Sequence, residues 1–168
     1  VREGCYTCHS QMIRPFRDEV ARYGEYSKAG EFVYDHPFQW GSKRTGPDLA
    51  RIGGKYPDSW HYNHMMDPQT MSPGSIMPSY PWLFDDPIDT AQTPGMIRAM
   101  QTLGVPYEKG FAEKANADLM NQANGIRISL KMEKLETPKD REIVALIAYL
   151  QRMGKDIKGE QKIVISEK

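Results

Sequence analysis

The chain has 168 residues, a length that suits one domain with a real core, and its 22 basic and 22 acidic residues cancel. That balance excludes a whole-protein field that would draw in nucleic acid or an anionic lipid surface. Apolar residues make up only 39% of the chain, mean hydropathy is −0.64, and no run approaches the roughly 20 apolar residues that cross a bilayer.

The chain opens on Cys5-Tyr6-Thr7-Cys8-His9, the C-x-x-C-H spacing for covalent attachment of a c-type haem. Two thiols one turn apart can add across the two vinyl groups of the porphyrin. The His that follows is then held where a ring nitrogen can bind iron. A C-x-x-C pair alone would also suit a redox dithiol or half a zinc site, and the added His is what narrows it. These two cysteines are the only ones in the chain, so a structural disulfide could form only by destroying the motif. Cysteines reserved for haem suit an oxidising, exported compartment. Only Val1 to Gly4 precede the motif and no leader is visible. This abrupt start reads as a soluble portion cut from a longer chain.

Pro15 should end a short helix that carries the motif. Phe16, Val20 and Tyr23 recur at helical spacing with Gly24 as a stop, and Arg17, Asp18, Glu19 and Arg22 read as a solvated face. Residues 25–45 are aromatic and irregular, and suit a long loop that either wraps the haem, meets a partner or packs on itself. The stretch from Tyr26 to Trp40 is the candidate docking surface. Gly46-Pro47-Asp48-Leu49 is elsewhere only a turn. Beside a C-x-x-C-H motif, the Pro47 carbonyl is a candidate acceptor for the second nitrogen of His9. Pro57 and Asp58 open a helix carrying Trp60 and His64, closed by Asp67-Pro68. Residues 67–82 hold four prolines and predict an irregular loop. Thr93-Pro94 predicts a helix start and Gly104 its end, with Ile97, Met100 and Leu103 inward. Phe111, Ala115, Leu119, Ala123, Ile126 and Leu130 predict one helix running through Gly125. Thr137-Pro138 predicts the start of the last helix, with Ile143, Leu146, Ile147 and Leu150 buried and Gly154 at its end. The organisation read from these signals is a haem domain over 1–154 and a polar tail over 155–168.

A second iron ligand must come from elsewhere in the chain. A thioether is a weak ligand that a stiff loop has to hold in place, which favours Met77 beside Pro78, with Met71 second. His36, His61 and His64 leave a bis-His site open. Arg51, Tyr56 and Trp60 are candidates to bind the haem propionates, or are ordinary surface and packing residues. No nucleophile elbow, phosphate-binding glycine loop or zinc helix occurs, so nothing points to a hydrolase or transferase. A closed His/Met iron leaves one-electron exchange as its chemistry.

Several stretches resemble the monohaem cytochrome c subunit, subunit II, of cbb(3)-type cytochrome c oxidases. They are residues 2–15 around the motif, GPDLARIGGKY over 46–56, MPSYPWL over 77–83, TLGVPY over 102–107 and IAYLQ over 147–151. The spacer WGSKRT at 40–45 adds specificity that the five-residue motif lacks. The resemblance implies an all-α class I cytochrome c-like fold with long irregular insertions, and one covalent haem c ligated by His9 and Met77. It implies electron relay to the catalytic haem-copper oxidase subunit that reduces dioxygen, beside other c-type cytochrome subunits. It also implies the periplasmic face of the bacterial inner membrane, with membrane attachment through a missing N-terminal anchor helix. Residues 108–136 and those after Gly154 match it less clearly. Two other readings stay open at this point. One is a freestanding periplasmic carrier or the haem subunit of a nitric oxide reductase. The other is a haem-based sensor or peroxidase, which needs an open sixth position on iron.

A chain this poor in apolar residues would draw on the apolar surface of a buried haem to complete its core. The haem-free chain is therefore expected to lack a native near-UV circular dichroism spectrum and to melt without a sharp transition. A native spectrum and a cooperative melt without haem would refute this.

Overall fold

The computed structural model describes residues 2–38 and 43–155. Among the described residues there are seven α-helices and no strand, the all-α class expected. Two compact units are present: one from the described residues of 1–55 and 152–168, the other from Tyr56–Gln151. Trp40, with the rest of 39–42, lies outside the described residues, as does the tail after Lys155.

The first unit starts with a 3₁₀ turn at Cys5–Thr7, entered through Gly4 at φ 69°, a left-handed angle that glycine adopts without cost. The backbone N–H groups of Cys8 and His9 both donate to the Cys5 carbonyl, at 3.1 and 2.9 Å. The helix expected to run from the motif to Pro15 is not formed: the helical turn stops at Thr7 and irregular chain runs on to helix α1, Arg17–Tyr23, which Gly24 ends at φ 102°. Two expectations for α1 are corrected. Phe16 is 57% exposed and packs into no core, while Glu19 is buried rather than solvated. The cause is two arginines that reach Glu19 from outside the helix, Arg14 and Arg44. The following loop contains a second 3₁₀ turn, Ala29–Phe32, whose start is tied by Lys28 N–H donating to Glu31 Oε1 at 2.9 Å. Ile13, Ala50 and Ile52 supply the buried apolar residues of this unit. Gly53 N–H donates to the Met153 carbonyl at 3.2 Å. Gly154, at φ 72°, lets the chain lie against the Ala50 carbonyl where a Cβ would collide.

The second unit carries most of the helix: α2 (Asp58–Met66), α3 (Pro68–Met71), α4 (Trp82–Asp85), α5 (Thr93–Thr102), α6 (Phe111–Met132) and α7, Glu142–Arg152, which passes into the first unit at its last residue. Helix α6 has 22 residues, about 33 Å of helix. It runs unbroken through Gly125, where a side chain would meet only open space. Its buried face meets α7 and the segment before α4, in a core of Tyr80, Leu83, Ala123, Leu130, Ile143, Val144 and Ile147. Helix α2 packs Tyr62 and Met65 against that core, and side-chain hydrogen bonds fasten its first turn. Gln151 Nε2 donates to the Tyr56 carbonyl at 2.9 Å and to Asp58 Oδ1 at 2.7 Å, and Ser59 Oγ donates to Glu133 Oε2 at 2.6 Å.

Three sequence expectations shift here. Helix α7 begins at Glu142, four residues beyond Pro138. The intervening backbone is committed elsewhere: Ile88 N–H donates to the Asp140 carbonyl at 2.7 Å and Glu142 N–H to the Asp86 carbonyl at 3.1 Å. Leu103 is 66% exposed, and Val105, two residues on, is buried in its place. The left-handed turn at Gly104 carries the chain off the helix and turns Val105 inward. The proline-rich loop also holds one helical turn, α3, with Pro68 at its first position and the Asp67 side chain accepting from Gln69 N–H at 3.0 Å. No helix among the described residues is long and apolar enough to cross a membrane.

Candidate functional site

The 3₁₀ turn of the first unit presents Cys5, Cys8 and His9 together, with both cysteines as free thiols. Burial pushes the Cys5 thiol pKa up. The segment over 44–50 lies against the motif and is fastened to it on both sides of His9. Gly46 N–H donates to the Cys8 carbonyl at 2.9 Å and Leu49 N–H to the Ser10 carbonyl at 2.8 Å. Between those two bonds, His9 Nδ1 lies 2.8 Å from the Pro47 carbonyl oxygen. A carbonyl only accepts, so Nδ1 carries the proton and donates. In a neutral imidazole that leaves the Nε2 lone pair available to a metal. Proline suits the acceptor position because its fixed φ stiffens the carbonyl it carries. Gly46 has a separate reason to lack a side chain. A Cβ there would stand 2.7 Å from both His9 ring nitrogens and closer still to Cε1.

Beneath this pair lies a network that no sequence motif announced. Asp48, its side chain fully buried, accepts from Ser10 Oγ at 2.5 Å, from Met12 N–H at 3.1 Å and from Ala50 N–H at 2.8 Å. Arg44 donates to Ser10 Oγ at 2.8 Å, to the Met12 carbonyl at 3.0 Å and to Glu19 Oε2 at 2.7 Å. Glu19 also accepts from Arg14, through its backbone N–H at 2.8 Å and through Nε at 2.5 Å. Two carboxylates face two guanidiniums, so the charge of the network cancels. The Arg44 guanidinium holds the Glu19 carboxyl at about 2, against the upward pull of burial and with help from Arg14, where an ordinary glutamate titrates near 4.5. One signal could have found Glu19. It stands four residues before Tyr23, on the same helix face, and the Arg44 guanidinium sits 5.3 Å over the Tyr23 ring.

Other residues singled out in the sequence fall in both units. In the first, Arg51 binds Glu31 and donates to the Glu25 and Ala50 carbonyls at 3.0 and 3.1 Å. It thus fastens the 25–31 loop to the chain after Pro47. His36 is exposed. In the second unit, Tyr56, Trp60 and His64 form a continuous stack, with centroid separations of 4.0 and 4.4 Å and 15° between planes at each step. His61 is buried, and its Nε2 has no hydrogen-bond partner among the described residues. Burial pushes its pKa down, so the ring is neutral near pH 7. Met77 is half-buried against the core of this unit, its N–H donating to Ser75 Oγ at 3.2 Å. Three residues on, Tyr80 N–H donates to the Met65 carbonyl at 2.9 Å. Met71 ends the short helix α3 and is half-buried.

Residues 1–157 match the family model described as "Cytochrome C oxidase, mono-heme subunit/FixO". The chain belongs to this family. No curated protein matches the sequence. As a mono-haem oxidase subunit the chain carries one haem and serves electron transfer within an oxidase complex, as the residues around the motif led us to expect. The residues of the subunit fit that group. Two free thiols, an imidazole whose Nδ1 is already engaged and a glycine that keeps space beside the ring form one donor set, on one turn and its facing segment.

Glu19 gives this fit a pH signature. Its pKa is depressed on folding, so the stability it contributes is fully present above about 4.5 and is lost as the pH falls through about 2. In the haem-loaded subunit, stability measured by denaturant should fall across that window. Glu19→Gln should be less stable at pH 7, by on the order of 3 kcal/mol because it removes the carboxylate that Arg14 and Arg44 share, and should lose that part of the acid dependence. An unchanged acid limb in the variant would contradict the assignment.

Proposed function

We propose that the subunit would hold its haem covalently through Cys5 and Cys8, with His9 Nε2 and the Met77 thioether as the groups that would bind its iron. When bound, the haem supplies reversible one-electron chemistry. The observation that carries the reading is the 2.8 Å contact between His9 Nδ1 and the Pro47 carbonyl. It fixes the tautomer, orients the ring and raises its basicity as a ligand. Met77 is preferred over Met71 because its backbone is tethered at Ser75 and, three residues on, at Tyr80, within a segment containing Pro78 and Pro81. A weak thioether ligand requires that kind of scaffold. Tyr56 and Trp60 form an aromatic wall suited to the porphyrin edge, and the buried His61 Nε2 is a polar group that a propionate could satisfy.

In this reading the subunit relays electrons to the oxygen-reducing haem-copper subunit of a cbb(3)-type oxidase and works beside other c-type cytochrome subunits. It sits at the periplasmic face of the bacterial inner membrane, held there by an anchor helix. The family supports the oxidase complex. Placement at the periplasmic face rests on the resemblance of residues 2–15, 46–56 and 77–83 to subunit II of cbb(3)-type oxidases.

The ligand assignment has a spectroscopic test. The oxidised wild-type protein should show the weak long-wavelength absorption band of a Met-sulfur ligand on ferric haem. Met77→Ala should abolish the band and lower the reduction potential, since a Met ligand raises it, while Met71→Ala should keep both. A band that persists in Met77→Ala transfers the role to another methionine. Its absence in wild type contradicts His/Met ligation.

A further inference from the structure

We propose that Asp48 is a positioning residue for the haem ligand: its buried carboxylate holds the Pro47 carbonyl on His9 Nδ1 and so sets the donor strength of that imidazole. The proposal rests on the reading of His9 as an iron ligand, and it concerns a residue whose hydrogen bonds go to Ser10, Met12 and Ala50 rather than to His9.

The geometry is that of a clamp placed one residue beyond each end of the bond it controls. His9 is followed by Ser10 and Pro47 by Asp48, and Ser10 Oγ donates to Asp48 Oδ2 at 2.5 Å. The same oxygen accepts Met12 N–H at 3.1 Å, while Oδ1 accepts Ala50 N–H from its own segment at 2.8 Å. The carboxylate therefore binds the chain that leaves His9 and the chain that leaves Pro47. Arg44 completes the set, donating to Ser10 Oγ and lying 3.5 Å from Asp48 Oδ2. Three hydrogen bonds plus a cation on one buried carboxylate exceed what a turn needs to form. The backbone bonds at Gly46 and Leu49 already close that turn.

The chemical consequence follows from the linkage between the two nitrogens of one ring. A well-placed acceptor draws the Nδ1 proton toward it, makes the ring more electron-rich and strengthens its donation through Nε2. Stronger donation favours the ferric state, which lowers the reduction potential. Loosening the clamp should free the Pro47 carbonyl to drift, weaken that donation and raise the potential. Loss of the carboxylate charge would also raise the potential by simple electrostatics, so the test must separate the two.

The test uses the haem-loaded protein as wild type, Asp48→Asn and Ser10→Ala. Two quantities are measured: the exchange rate of the His9 Nδ1 proton by NMR in the reduced state, and the midpoint potential. Ser10→Ala changes no charge, so any shift it causes is geometric. Both variants are expected to exchange that proton about tenfold faster or more, tenfold corresponding to about 1.4 kcal/mol, and both are expected to show a raised potential. Two results would overturn the proposal while leaving the ligand reading intact. One is wild-type exchange and potential in Ser10→Ala, which decides the matter alone if Asp48→Asn does not fold. The other is a potential shift in Asp48→Asn with exchange unchanged, which reduces Asp48 to a charge. A wild-type protein with no haem-shifted His9 resonance would overturn the proposal together with the ligand reading beneath it.

Discussion

The first unit depends on the fastening of residues 44–50 along residues 8–13. Two backbone hydrogen bonds, Gly46 to Cys8 and Leu49 to Ser10, lay the segments side by side. The bond between His9 Nδ1 and the Pro47 carbonyl sits between them. A side chain at position 46 would collide with the His9 ring and force the segment and the ring apart. The fastening converts a flexible pentapeptide into an imidazole of fixed tautomer with one nitrogen open. Without it, His9 would be a half-buried ring on a short 3₁₀ turn, free to choose its partner.

Charge makes the fastening hold. Glu19, Arg44 and Asp48 are ionisable groups carried out of water, which is costly unless each is paired and fully hydrogen-bonded. Here they meet one another as well as the backbone of residues 10–14. The result is less a source of stability than of geometry, since a buried ionic network tolerates few alternative arrangements. It ties three separate pieces of sequence, the exit of the motif, helix α1 and the segment that carries Pro47, into one unit. A purely apolar core of the same size could have been filled in many ways. Arg51 extends the same logic outward, through Glu31 and the carbonyls of the neighbouring loop.

Much of this was legible from residue types, and each miss has a physical cause. The motif, the Pro47 acceptor and the course of α6 through Gly125 follow from local spacing. Local spacing is what a sequence displays directly. Glu19 was misread because its partners lie five residues before it and 25 after it, and a charge in a helix is by default taken as solvated. The start of α7 was misplaced because Thr137-Pro138 is a sound start signal locally. Residues 86–88 instead capture the backbone over 140–142. Leu103 and Val105 exchanged places because the period of a helix says nothing about the residue after its stop. For Glu19 and the start of α7 a contact outside the local pattern overrode a local preference; at Leu103 the left-handed turn at Gly104 redirected the chain. The three-ring stack of Tyr56, Trp60 and His64 differs from these, since its spacing of four and four along a helix start is local and visible in the sequence.

The central claim is that residues 5–9 hold the haem through two thioethers, with His9 placed on its iron. Peptide mass spectrometry of the haem-loaded protein after acid extraction tests it most directly. The predicted result is one haem retained on the peptide that contains both Cys5 and Cys8, neither thiol open to alkylation, and only one of them attached in either single Cys→Ala variant. Haem that leaves with the acid, and two thiols that alkylate freely in the loaded protein, would contradict it.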